Sequence, residues 1–315
     1  MIIAIEIGGT KLQIAVVDTY QQKILRTARF VVNRSAGAEG ILQSIEVTVK
    51  QMMASHHEVA AIVVGFGGPV NAATGEVATS HQIPGWSGFK LKQWLNDQFN
   101  LPAYIENDAN LAALAETFFG TGKDFNPVLY ITLGSGVGGG LTIDGELYKG
   151  NLPGEVEIGQ IYLNADGTTL ESVCSGWALD SIIRDAVKKS SGDTPLVTLT
   201  QNSMAHEAKF LYAAIEQNDS IAIDIFNTYI KNLCFGLSHA VHLFNPQLLI
   251  LGGGVSLIGA PLQMAVQQQL PSMLAKVFQP GPVVALAETG ETAVLLGALV
   301  LYQTEQKKIS NKISI

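Results

Sequence analysis

The stretch IIAIEIGGTKLQIAVVD, residues 2–18, sets the reading of the whole chain. Its first half is apolar except for Glu6 and stops at Gly8-Gly9, which is how a buried strand delivers a permissive turn. After the glycines comes a second strand, Leu12 to Asp18, and not a helix. The same grammar returns in VLYITLGSGVGGG (128–140), which leads into LTIDGELY (141–148), where Asp144-Gly145 is a hairpin turn. Two more apolar runs end at clustered glycines, VAAIVVGFGGPV (59–70) and LLILGGGVS (248–256). Gly134, Gly136 and Gly139 formally spell GxGxxG, but a dinucleotide-binding turn opens a helix directly after its last glycine, and here a hairpin comes instead. No GxxxxGK[ST] occurs, and Lys11 of GGTK enters a strand, so a P-loop is disfavoured as well. Two glycine hairpins remain, one in each half, whose backbone N–H groups are expected to be available to a triphosphate.

A chain of 315 residues with 47% apolar content exceeds the usual size of one core, which points to two domains. The net charge of −8 argues against a nucleic-acid surface, since phosphate neutralisation needs clustered Lys and Arg. Cys174 and Cys234 are too few and too far apart for a disulfide framework and suit a reducing compartment. The N-terminal residues lack the pattern of a signal peptide, and no run of about 18 apolar residues suggests a membrane span. The expectation is a cytoplasmic protein with no membrane or nucleic-acid partner.

Helices are expected over LAALAETFFG (111–120), from near Glu171 through Ser190 as one element, over 220–245, and near 291–303. In YIENDANLAALAE (104–116), Glu106, Asn107 and Asp108 sit where a strand passes into a helix. Read alone, Asn or Asp before an apolar helix is usually an N-cap. Three polar residues exceed what one cap requires, and a carboxylate at a strand end suits a base that accepts a hydroxyl proton. Glu6, inside an apolar strand, needs a partner: hydrated Mg²⁺ is the functional candidate and Lys11 the plain alternative. Thr10 offers a hydroxyl to a terminal phosphate, or simply β-propensity. Glu157 and Gln160 can present an acceptor and an amide to a polyol, whereas Glu171 equally favours a helix start. The six histidines fall in no metal-ligand pattern. His81, in TSHQIPGW (79–86), is kept as a candidate substrate neighbour.

Taken in order, these motifs resemble the ROK family of sugar kinases and related repressors, across nearly the whole chain. IEIGGTK (5–11) is similar to the family's first phosphate motif, GGPVNAATGEV (67–77) to its sugar-side turn, and IENDANLAALAE (105–116) to its catalytic segment. ITLGSGVGGGLTIDGELYKG (131–150) is similar to the second phosphate motif, LESVCSG (170–176) to the segment after the family's zinc site, and LLILGGGVS to the adenosine-side loop. The resemblance implies an α/β fold of the actin-like ATPase (ribonuclease H-like) type, with two lobes around a nucleotide and sugar cleft. It implies a small lobe of 1–108 plus 293–315 and a large lobe of 109–292. It makes Asp108 the general base, and Asn107, Glu157 and Glu171 the sugar side, to which Gln160, Gly68 and His81 are added as candidate substrate neighbours. Gly8, Gly9, Thr10 and Lys11 with Gly134, Ser135, Gly136 and Gly138 would hold phosphates, and Gly252, Gly253 and Gly254 the adenosine. Glu6 would hold Mg²⁺ through water. The implied activity is ATP-dependent phosphorylation of a hexose or hexose derivative at its 6-hydroxyl, in a homodimer. The alternative is a sugar-binding regulator without turnover; the family's repressors carry a DNA-binding segment before the first strand, and here that strand starts at Ile2. Three departures stand out. The positions matching the family's His and three Cys zinc ligands are Gln160, Tyr162, Asn164 and Thr169, which predicts no zinc. Glu6 replaces the usual Asp, and Gly67 the usual Pro.

Overall fold

The computed structural model describes residues 1–80, 83–151, 153–154, 156–190, 192–203 and 205–313. Ile2–Ile7 (β1) pairs antiparallel with Lys11–Asp18 (β2), from Ile2 against Val17 to Ile7 against Leu12. Lys23–Val31 (β3) continues the meander as the sheet edge, and its Lys23, Arg26 and Arg29 are charges of the kind that discourage edge-to-edge pairing. Gly37–Ser55 (α1) leads to Ile62–Phe66 (β4), parallel to β1, and a short hairpin of Val70–Asn71 (β5) and Glu76–Val77 (β6). Leu91–Phe99 (α2), Ala103–Asn107 (β7) and Asp108–Phe119 (α3) come next, with β7 parallel to β4. The sheet order is β3-β2-β1-β4-β7.

The chain then forms Val128–Leu133 (β8), Val137–Ile143 (β9) and Glu146–Leu147 (β10), and after Leu170–Cys174 (α4), Gly176–Lys189 (α5), Pro195–Thr200 (α6), Leu211–Glu216 (α7) and Ser220–Phe244 (α8) it adds Leu248–Gly252 (β11). Ala260–Gln269 (α9), Val283–Leu286 (β12) and Ala293–Ile313 (α10) complete it. The second sheet runs β10-β9-β8-β11-β12, which in sequence order is the arrangement of the first. The two glycine hairpins therefore open two copies of one topology.

The chain divides into two compact units: Met1–Lys123, Gly140–Val156 and Thr289–Ile315 form the first, and Asp124–Gly139 with Glu157–Glu288 the second. The division falls after Lys123 and not at residue 108, because α3 belongs to the core of the first unit. There β1 is buried on both faces, which is why it reads as a continuous apolar run. Ile3, Ile5 and Ile7 pack with Ile41, Ile45 and Val49 of α1 and Leu91 and Leu95 of α2. Ile2 and Ala4 pack on the other side with Leu111 and Leu114 of α3 and Leu295 and Leu299 of α10. In the second unit α8 spans the expected stretch and buries Leu233, Leu237 and Val241. The single helix expected from Glu171 to Ser190 is instead two. Ser175 is extended (ψ 157°) and caps α5, its Oγ accepting from the Ala178 amide at 3.2 Å, while the Gly176 amide leaves the helix ladder for the Gly134 carbonyl at 2.7 Å. Among the described residues no helix is long and apolar enough to cross a membrane.

Candidate active site

In the first unit the site grows from the ends of β1, β4 and β7. The Gly8 amide donates to the Lys11 carbonyl at 2.9 Å, so it closes the turn and is not, as expected from the sequence, available to a phosphate. The Gly9 carbonyl accepts from Arg34 Nε at 3.0 Å. Thr10 is exposed at the tip. Of the two partners considered for Glu6, Lys11 is present: its Nζ stands 3.1 Å from Glu6 Oε1, and the fully buried Gln13 donates to Glu6 Oε2 at 2.6 Å. One carboxylate already bonded in this way fits a magnesium ion held through its water shell better than one chelated directly.

The Gly67 amide donates to the Ile7 carbonyl at 2.8 Å, which stitches the sugar-side turn to the end of β1. Asn107, at the last position of β7, is extended and caps α3: its Oδ1 accepts from the amides of Ala109 (2.8 Å) and Asn110 (3.2 Å). Its Nδ2 donates to the Gly68 carbonyl at 3.2 Å, and the amide carries a second N–H for a ligand. Because Asn107 does the capping, Asp108 enters the first turn of the helix, where the helix dipole favours its ionised form. Asp108 Oδ1 accepts from the Ala109 amide at 2.8 Å. Its Oδ2 lies over Gly67: a Cβ added there would stand 3.2 Å from that oxygen and 3.4 Å from Gly8 Cα. The expected base, the first glycine turn and the sugar-side turn are thus brought together. Behind them is a group the sequence marked only as polar. Glu106 is 1% exposed; its Oε1 accepts from the Asn107 amide and from Asn110 Nδ2, both at 3.0 Å, and its Oε2 pairs with Lys149 Nζ.

In the second unit the Gly134 amide closes its own turn on the Gly136 carbonyl at 3.0 Å, the same departure from expectation as at Gly8. Glu171, expected on a sugar hydroxyl, turns its Oε2 to the Val137 amide at 2.9 Å, and a Cβ at Gly136 would come within 2.4 Å of that oxygen. Ser135 and Gly138 flank this contact and are part-exposed. Gly252 ends β11, and Gly253, in the left-handed region at φ 82°, lies against the backbone of Leu133, so the adenosine-side glycines adjoin the second turn. A Cβ at Gly254 meets no protein atom within 4 Å, so this face of the turn is open. Glu157 starts the short turn Ile158–Gln160, whose Gln160 is exposed. His81 lies outside the described residues.

The positions matching the family's zinc ligands form a hydrogen-bonded hairpin. Tyr162 and Thr169 are bridge partners, and the Leu163 amide donates to the Thr168 carbonyl at 2.7 Å. Asn164 Oδ1 accepts from the amides of Asp166 (3.0 Å) and Thr168 (3.1 Å) while its Nδ2 donates to Thr168 Oγ1 at 3.0 Å. Thr169 then caps α4 in a reciprocal box with Ser172. Among the described residues no group of three or more His, Cys, Asp or Glu could hold a metal ion.

Lys149 and Arg34 are the residues that sequence reasoning missed. Each is a lone basic residue far along the chain from its partner, 43 positions for Lys149 and Glu106 and 25 for Arg34 and Gly9. The one signal for Lys149 was the buried acid at the strand end, which demands a cation from somewhere.

A family model described as "ROK family" matches residues 2–305. A glucokinase of Streptomyces coelicolor is 32% identical over 314 residues, 94% of this chain and 95% of its own length. A beta-glucoside kinase of Listeria monocytogenes is 30% identical over 268 residues, 81% of this chain and 83% of its own. The crystal structure of a ROK family glucokinase from Streptomyces griseus, in complex with glucose and AMPPNP, aligns with a TM-score of 0.83 at 31% identity over 95% of this chain and 98% of that one. The two open-sheet α/β units are those of that fold.

Proposed function

The chain belongs to the ROK family, and from that premise we propose that it transfers the terminal phosphoryl group of ATP to a hexose or hexose derivative, at the 6-hydroxyl, with Asp108 as the general base. The observation that carries this reading is the division of labour at the end of β7: Asn107 caps the helix, and Asp108 is left with Oδ2 over Gly67, the glycine that adjoins Gly8. Asp108 accepts the hydroxyl proton as the sugar oxygen attacks, and Oδ1, bonded to the Ala109 amide, fixes the direction of Oδ2. ATP supplies the phosphoryl group, and Glu6 would hold Mg²⁺ through the ion's water shell, where the ion would offset the charge of the phosphates. Gly9 to Lys11 with Ser135, Gly136 and Gly138 hold the phosphates; Gly252 to Gly254 take the nucleoside. The sugar is held by the second N–H of the Asn107 amide, by Gly68 and by Glu157, Gln160 and Glu171. The kinases among its relatives act on glucose or β-glucosides by their names, which sets the first sugars to try. Gln160 can donate and accept a hydrogen bond but cannot carry the charge of the family's histidine, so the preferred sugar is expected to differ from that of relatives keeping the histidine.

The test is an ADP-release assay over hexoses, N-acetylhexosamines and glucosides, with the product's phosphate position read by phosphorus NMR. Turnover on at least one sugar is expected, with kcat reduced about 10²–10⁴-fold in Asp108→Asn while KM for the sugar changes little. A variant as fast as wild type would remove Asp108 from the base role, and a wild type that binds sugar but turns over none would make the protein a sensor.

A further inference from the structure

The buried acid at the end of β7 has no place in proton transfer or phosphate binding, yet it is among the least exposed charged groups of the chain. Burying a carboxylate is costly unless it is fully bonded, and an apolar residue would be the more stable occupant of such a position. Glu106 is fully bonded, and its bonds straddle Asp108. Oε1 accepts from the amide just before Asp108, that of Asn107, and from the side chain of Asn110, two residues after it. Both sides of the Asp108 backbone are therefore tied to one carboxylate. Oε2 is held by Lys149, whose side chain is 40% exposed, so the pair is closed from the solvent side. Lys149 stands just after β10, at the start of the stretch that runs on to Glu157.

We infer that Glu106 and Lys149 form a positioning pair, which sets the direction of the Asp108 carboxylate toward the acceptor hydroxyl and touches neither substrate. The inference rests on the reading of Asp108 as the base. Removing Oε1 takes one bond each from the Asn107 peptide and the Asn110 side chain, and both adjoin the residue whose Oδ2 must meet a hydroxyl within hydrogen-bond reach. Misplacing a reacting group by about 1 Å can lower a rate roughly 100-fold without changing how tightly the substrates bind. The signature is therefore a fall in kcat with KM unchanged, and recovery by an isosteric residue that restores the Oε1 acceptor.

The experiment compares Glu106→Ala, Glu106→Gln, Lys149→Met and Lys149→Arg in the full chain, by steady-state kinetics in ATP and in the best sugar and by thermal melting. Glu106→Ala is expected to lower kcat roughly 10–100-fold, with both KM values within about threefold of wild type. Glu106→Gln, which keeps an acceptor for Asn107 and Asn110, is expected to recover most of that loss. Lys149→Met is expected to lower kcat by a smaller factor, and Lys149→Arg to restore it. If Glu106→Ala fails to fold, Lys149→Met decides, because that side chain is already partly in water. Wild-type kcat in a folded Glu106→Ala or in Lys149→Met, whatever the melting temperature, overturns the inference and leaves the kinase reading intact. Loss of kcat undiminished in Glu106→Gln overturns it too. A wild type without turnover on any sugar overturns the parent reading and this one with it.

Discussion

Asn107 and Asp108 differ by one position and by everything else. Either can cap a helix, and in isolation the sequence favours that reading for both. The structure separates them: Oδ1 of Asn107 satisfies two of the orphan amides of α3, and Asp108 is spared the capping role. Asn107→Asp keeps the cap and loses the amide. The cap itself is kept, because Asn and Asp cap about equally well, but the Nδ2 bond to the Gly68 carbonyl is lost, so a urea melt is expected to show a loss of about 1 kcal/mol, while KM for the sugar rises. Asn107→Ala loses both and is expected to cost about 1 kcal/mol more. Gly254 offers a cleaner test of nucleotide placement. A methyl there meets no protein atom, so Gly254→Ala is expected to melt like wild type and to raise KM for ATP alone; an unchanged KM would move the nucleoside elsewhere. The glycine positions were legible because a strand that stops at glycine and resumes as a strand leaves little choice of geometry. Lys149 and Arg34 were not, because their meaning lies in partners brought to them only by the sheet.

The glycine-ended strands β1, β4, β8 and β11 and helix α8 were legible as elements because apolar runs of those lengths bury themselves; β3, charged and mostly exposed, and β12 carried no such signal. The break between α4 and α5 was not. The apolar spacing runs straight through it, and what ends α4 is tertiary: the Gly176 amide goes to the second glycine turn, and Ser175 recaps the chain. The hairpin at 162–169 shows the reverse case. The absence of zinc ligands was plain from residue identities, but not that Asn164 would take over the stapling. Incubation with a strong chelator is expected to leave the melting temperature unchanged, and Asn164→Ala to lower stability by about 1–2 kcal/mol, from the loss of hydrogen bonds within one turn; a chelator-sensitive melt would restore the metal. At the start of α8, burial pushes the Asp219 carboxyl up, but the amides of Leu196, Ala222 and Ile221 and the Thr194 hydroxyl outweigh it and hold it below the usual range. A depressed folded value means that the stabilisation is present above the unfolded value and is lost as pH falls through the folded one. Asp219→Ala is therefore expected to cost about 1–2 kcal/mol at pH 7, and the difference from wild type should shrink below about pH 4.

At the scale of the whole molecule, the repeated sheet order was readable from the two glycine hairpins, whereas the assignment of α3 to the first unit was not. Its outward signal, a modest apolar helix after β7, does not say which sheet it covers. Cys174 and Cys234 report on the second unit. Burial pushes both thiols up to about 12, with the neighbouring Cys234 adding to the rise at Cys174. Neither is a thiolate at pH 8, so a disulfide reagent is expected to label the native protein negligibly and both thiols on unfolding in urea; rapid labelling of the native protein would show that this core opens. The first unit has a different vulnerability, and it concerns the ribosome more than the enzyme. One face of its sheet, Ile2, Ala4, Ala15 and Val17, is covered in part by α10, which is made only after the second unit. At about 5–20 residues per second, the roughly 170 residues between Lys123 and Ala293 take about 10–30 s to synthesise. For that interval the nascent chain carries an apolar sheet face covered by α3 alone, a surface on which the growing chain can associate wrongly before α10 arrives.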